Sequence, residues 1–223
     1  MRRHESISWG RPLVAGLSAA LLLYQVVGRP WLRSWGTTPR EATEPLAGDE
    51  LVPARWQTTR AVAINAPVAQ VWPWLIQMGY RRGGWYSYDW LERRGGAGTF
   101  TEGESAKRVI PQLQSLAVGD TIALSPAGGP RVAVLQPDSA LVLHYRMNLL
   151  TSAEATPDDR AVMDWSWAFI LVPTGATSCR LLARVRADYR PHWLFVLFPA
   201  LLEPVHFLME TKMLRTIDQR ASR

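Results

Sequence analysis

An uncharged, strongly apolar run near the start of the chain, Leu13 to Val27, reads LVAGLSAALLLYQVV. At helical rise it spans roughly 22 Å, and the wider stretch Pro12 to Leu32 reaches the roughly 30 Å of a hydrocarbon core if Arg29 snorkels. Trp9 before the run and Trp31 and Trp35 after it are placed like interfacial anchors. A cleaved signal peptide is the rival reading, since Arg2 and Arg3 make a basic start, but no small-x-small pattern follows Val27. The pattern therefore predicts a single-pass membrane anchor within residues 1–33. Its orientation stays open, because Arg2, Arg3 and Arg11 are balanced by Arg29, Arg33 and Arg40.

Residues 34–57 carry Pro, Gly, Thr and acids without an apolar period, and read as an arm or linker. A folded domain then occupies residues 58–220. It opens with an alternating strand, Thr58 to Ile64, and an amphipathic helix, Val68 to Met78, with Asn65 as N-cap and Trp72, Leu75 and Ile76 on its buried face. A helical turn is predicted over Ser87 to Arg93. GDTIALSP, PRVAVLQP and ALVLHYRM follow as short strands between turn residues. Asp164 to Val172 and Cys179 to Tyr189 form a hairpin around Pro173 to Thr177. The chain closes on an apolar helical stretch from His192 to about Arg220, which Pro199 and Pro204 should kink or split. Strand, helices, antiparallel strands and a last long helix make an α+β order. A curved antiparallel sheet wrapped around that helix, the helix-grip arrangement, would leave a cavity between the two.

Composition narrows the function. The net charge is +6, but the basic residues are nearly all arginine, with lysine only at Lys107 and Lys212, and they are scattered. No stripe could track a phosphate backbone, so no nucleic-acid partner is expected. The lone Cys179 can form neither an intrachain disulfide nor a cysteine zinc cage. Eleven tryptophans exceed ordinary usage, as suits pocket walls or membrane interfaces.

The segments INAPVAQVWPWLIQMG, GGWYSYDWLE, LAVGDTIALSP, WSWAFILVP, RLLARVRADYR and LLEPVHFLMETKML, in that order, resemble the SRPBCC superfamily (START and Bet v 1-like), its polyketide cyclase/dehydrase and lipid-transport relatives in particular. More narrowly, the chain looks like an uncharacterised bacterial branch carrying the arm Trp35 to Pro53, and the resemblance covers about Trp35 to Ile217. The resemblance implies a deep apolar cavity that holds lipids, polyketides or other hydrophobic molecules. It implies no shared catalytic set, since one scaffold hosts many functions.

Candidate ligand-binding residues come from four places. Trp85, Tyr86, Tyr88 and Asp89 crowd aromatics around a carboxylate, either as a cavity entrance or as a buried plug with Asp89 capping or pairing with Arg93. On the strand Asp164 to Val172, Trp165 and Trp167 share an inward face with Phe169 and Leu171. Arg184 and Arg186 share one face of the next strand and need either solvent or carboxylate partners; pairing with Glu203 across the cavity would serve. On the last helix Glu203, His206 and Glu210 fall on one face beside Phe207, and His144 sits in an alternating strand. A His and two carboxylates could bind a metal, but neither HExxH nor a second histidine cluster supports that, so no metal or cofactor is expected. The expected function is membrane-tethered binding of a hydrophobic small molecule or lipid. The alternatives are a cyclase or dehydratase-like enzyme using Asp89, His144, His206 or Glu203, and a protein-interaction module.

Overall fold

A computed structural model describes residues 16, 18–19, 22–96, 98 and 100–223, the side chains of 194–201 excepted. The predicted anchor Leu13 to Val27 lies in good part outside the described residues. Among those described, no helix is long and apolar enough to cross a membrane. What is described of this region is a π-helical turn, Tyr24–Gly28, running into α1 (Arg29–Arg33), and Leu22, Leu23, Val26, Val27 and Trp31 are all exposed on it.

The domain is α+β, with one curved antiparallel sheet in the order β1-β5-β4-β3-β2 and a C-terminal helix. The strands are β1 (Trp56–Ile64), β2 (Arg131–Gln136), β3 (Ala140–Asn148), β4 (Val162–Gly175) and β5 (Ser178–Arg190). Alternation sorts each strand between two faces. Trp165, Trp167, Phe169 and Leu171 of β4 look inward, as do Leu181, Ala183 and Val185 of β5 and Leu141 and Leu143 of β3. Against that face lie α3 (Val68–Ile76) and the 28-residue α5 (Leu194–Ala221), with Val71, Trp74, Leu75, Met213, Leu214 and Ile217 in the shared core.

Three expectations are corrected here. Trp74 rather than Trp72 is the fully buried ring of α3, and the N-cap is Pro67, with no side chain capping. GDTIALSP makes only isolated bridges, at Thr121 and Ser125, because Pro126 and Gly128-Gly129-Pro130 turn the chain before a ladder can grow. Helix α5 runs unbroken through Pro199 and Pro204. Each proline removes one helical hydrogen bond, yet Glu203 and Glu210 are both pinned by arginines from outside the helix, which holds its first half in place.

The outer face of the sheet is also covered. Ala61, Ala140, Val142, Ala168, Ile170 and Leu182 form an apolar patch there, and Leu46, Ala47 and Leu51 of the arm pack onto it. The arm is thus a structured strap. It contains α2 (Pro39–Thr43), opened by a capping box in which the Glu41 amide donates to Thr38 Oγ1 and the Thr38 amide to Glu41 Oε2. Gly36 and Gly48 are required along it: both have positive φ, and a Cβ would come within 2.0 Å of the Ala61 carbonyl oxygen and 2.4 Å of Val142 Cγ1 respectively.

Candidate functional site: a two-chambered cavity under the last helix

Between the inner face of the sheet and α5 lie two adjoining chambers. The larger, about 660 Å³, is walled by Trp85, Ser87, Leu91 and Glu92 from around α4 (Asp89–Arg94) and by Val205, Met209, Glu210 and Met213 of α5. The smaller, about 260 Å³, lies between Trp165, Val185 and Tyr189 of the sheet and Leu202 and Glu203 of α5. Trp167, Leu124 and His206 border both and form the constriction between them. Inward alternation on β4 explains the aromatic wall: Trp167 stacks on Trp85 at 5.5 Å and lies 6.4 Å from Trp165.

The polar groups in this apolar wall are mostly tied to arginines. Glu203, whose side chain has no exposure, receives Arg29 Nε at 2.6 Å and Arg33 Nε at 2.5 Å, so the N-terminal segment is clamped onto α5. Glu210 accepts from Arg60 Nη1 at 2.5 Å and from Trp167 Nε1 at 2.8 Å. Arg60 is fully buried on β1, and its Nε donates to the Leu32 carbonyl while Nη1 also lies 2.9 Å from His206 Nδ1. Burial pushes the His206 imidazole below its ordinary pKa; Glu210 and Glu203 oppose that shift, and Arg60 adds to it. Some 30% of the His206 side chain is exposed, and the residue lines both chambers.

Glu92 differs from these. It is 3% exposed, and neither carboxylate oxygen has a hydrogen-bond partner; the adjoining Ser87 Oγ has none either. Burial, with the charge of Asp89 second, pushes its pKa up to about 7, and the nearby backbone amides of Ser87 and Trp85 offset only part of the rise.

Several residues singled out from the sequence lie elsewhere. Arg184 and Arg186 do not meet Glu203; they project from the outer face, beneath the strap. Arg184, 1% exposed, donates to Thr59 Oγ1, Asp49 Oδ2 and the Glu41 and Glu44 carbonyls. Arg186 reaches the Val52 carbonyl and Gln57 Oε1, and Arg180 completes the row on Glu41. The sequence pattern identified their shared face correctly, but the strap supplies the acceptors that the cavity was expected to supply. His144 is also on the outer face, paired with Asp164 at 2.7 Å. Asp89 anchors the loop at Ser105, through its backbone amide and hydroxyl, instead of facing the cavity. Tyr86 is buried core, its hydroxyl donating to the Trp74 carbonyl, and Tyr88 precedes α4 as its N-cap. Phe207 packs between Trp31 and Trp35 with Arg60 over its ring, on the side of α5 away from the chambers. Trp85, Trp165, Trp167, Glu203, His206 and Glu210 are the candidates that line the cavity. Among the described residues, no group of three or more His, Cys, Asp or Glu is arranged to hold a metal ion.

Arg60 and Glu92 were missed. Arg60 shares the inward parity of Val62 and Ile64, so alternation alone marked it as an arginine in a core position. Glu92 carries no such signal, since α4 is a six-residue helix of mixed polarity.

No protein-family model matches the chain, and no curated protein matches it. Among solved structures it is similar to a conserved protein from Geobacillus kaustophilus, at 10% identity and a TM-score of 0.42, covering 75% of this chain and 95% of that one. It is likewise similar to the protein MLL2253 from Mesorhizobium loti (18% identity, TM-score 0.38, 72% and 97% covered). A truncated norcoclaurine synthase from Thalictrum flavum is a third (14% identity, TM-score 0.39, 74% and 91% covered).

Proposed function

We propose that the chain is an SRPBCC-type binding protein that holds a hydrophobic small molecule or lipid between its sheet and α5, tethered to a membrane by the segment before Leu32. One observation carries this reading: about 660 Å³ and 260 Å³ of adjoining space under the last helix, walled by Trp, Leu, Val and Met side chains. Space of that size and character suits a ligand of drug or lipid-tail dimensions. The anchor rests on the Leu13 to Val27 run and on the exposed Leu22, Leu23, Val26 and Val27 that continue it. Native mass spectrometry and solvent extraction of the purified protein test the binding. A co-purifying apolar molecule, lost when Met209 and Met213 are replaced by Trp to fill the larger chamber, is the expected result. An empty protein that also fails to bind neutral apolar dyes would refute it.

A second reading has its own observation. A buried carboxyl near pKa 7 in a cavity wall is poised for proton transfer, so Glu92 favours the cyclase or dehydratase alternative over a pure carrier. Turnover that Glu92→Gln abolishes while ligand retention persists would establish it.

A further inference from the structure

We propose that His206 is a locked hydrogen-bond donor at the constriction, and that the molecule held there carries a neutral oxygen acceptor, a carbonyl foremost, between two apolar portions. The inference rests on the binding reading above and adds the ligand's chemistry to it.

The lock follows from Arg60. A guanidinium offers only donors, so the 2.9 Å contact between Arg60 Nη1 and His206 Nδ1 requires Nδ1 to be the unprotonated, accepting nitrogen. The ring proton then resides on Nε2. Arg60 cannot turn away: it has no exposure, its Nε is held by the Leu32 carbonyl, and Nη1 is shared with Glu210. Nor can the ring act as a base, because its one lone pair already accepts from Arg60. The depressed pKa, caused first by burial and further by Arg60, agrees with a neutral ring.

The Nε2–H is left without an acceptor. The nearest carboxylate oxygen, Glu210 Oε1, is 3.7 Å away, beyond hydrogen-bond reach, and already accepts from Trp167 Nε1 at 2.8 Å. His206 borders both chambers, so an oxygen seated against Nε2 leaves apolar volume on either side of it. The lining of the chambers disfavours an anion. Its carboxyl groups are Glu92, Glu203 and Glu210, its one cation, Arg94, is at the exposed rim, and the arginines that neutralise Glu203 and Glu210, Arg60 with an unpaired Nη2 among them, do not line it. A carboxylate or phosphate buried at the constriction would therefore touch carboxyl groups and meet no cation in the wall but Arg94. A carbonyl needs only the donor that is there.

The test uses the full chain held in amphipol and the pair fluorenone and fluorene, which differ by one carbonyl oxygen. Each displaces the neutral dye N-phenyl-1-naphthylamine, and the carbonyl stretch of bound fluorenone is read by infrared spectroscopy. The expected result is a lowered stretch in the wild type. The fluorenone-to-fluorene affinity ratio should fall about 3- to 10-fold in His206→Phe, the worth of one neutral hydrogen bond, and be kept in His206→Gln, whose amide can still donate. Ring ¹⁵N spectra of the unsubstituted chain, with His206 assigned by its loss in His206→Gln, should show Nε2 protonated and Nδ1 bare at pH 7. An imidazolium or an Nδ1–H tautomer would overturn the lock whatever the variants do. Binding of both compounds with an unshifted stretch and an unchanged ratio would overturn the inference and leave the binding reading standing. Binding of neither would overturn both.

Discussion

Replacing Glu92 by Gln removes an ionisable group that the folded protein disfavours in its charged form. The folded pKa is about 7 against 4.5 for the free side chain, so between those values the folded state binds a proton that the unfolded state has released. Stability from this group is complete below about pH 4.5 and is lost as pH rises through about 7. The difference of roughly 2.5 units corresponds to about 3 kcal/mol, and screening by water in the adjoining chamber lowers the working figure to about 2. Glutamine keeps the shape and removes the charge. Glu92→Gln should accordingly be more stable than the wild type by about 2 kcal/mol at pH 8, with the gap closing as pH falls to 5 and below. Urea melts of both proteins across pH 4.5 to 8.5 measure this directly. A gap that stays constant with pH, or a variant less stable at pH 8, would refute the claim that Glu92 is buried without an ion-pair partner.

Three further outcomes are expected. Trp74→Ala should cost about 3 to 5 kcal/mol in a denaturant melt and Trp72→Ala distinctly less, since only the first ring is fully buried. Arg184→Met leaves Asp49 and the strap carbonyls without their donor; it should cost about 3 to 5 kcal/mol and speed tryptic cleavage at Arg40, whereas unchanged proteolysis would mean the strap is held by apolar packing alone. Full-length protein should resist alkaline carbonate extraction, and deletion of residues 1–21 should release a folded soluble form. Deletion of residues 1–33 should instead lower the melting temperature, because it takes away both cations that neutralise the unexposed Glu203.

The parts of this fold legible in the sequence are those with a clean period. Alternation along Asp164 to Val172 placed Trp165 and Trp167 on the inner face, and the same rule divided β5 into an apolar row and a row holding Leu182, Arg184 and Arg186. Periodicity says which residues share a face but not what covers it. The arginine row was assigned to the cavity because the last helix was the one visible source of carboxylates, while the segment from Gly36 to Arg55, which has no apolar period, gave no sign of lying on the sheet. Its binding is encoded in single points: the capping box at Thr38, two glycines at close approaches, and backbone carbonyls that accept from arginines. Carbonyl acceptors leave no trace in a sequence, since every residue has one.

The same asymmetry governs the cavity. Glu203, His206 and Glu210 stood out as polar residues at helical spacing on an apolar helix, and all three line the chambers. Their partners came from segments read as something else: Arg29 and Arg33 as snorkelling or flanking charges of an anchor, Arg60 as one residue of an alternating strand. The consequence is structural. Because Arg29 and Arg33 hold Glu203, and Arg60 holds both the Leu32 carbonyl and Glu210, the end of the N-terminal segment, strand β1 and α5 are joined through two neighbouring polar groups that meet at Leu32 and Arg33. Those groups form the polar edge of the cavity. A displacement of the N-terminal segment would therefore free Glu203 in the smaller chamber and loosen the Arg60 that fixes His206, so the position of that segment and the chemistry of the cavity cannot vary independently.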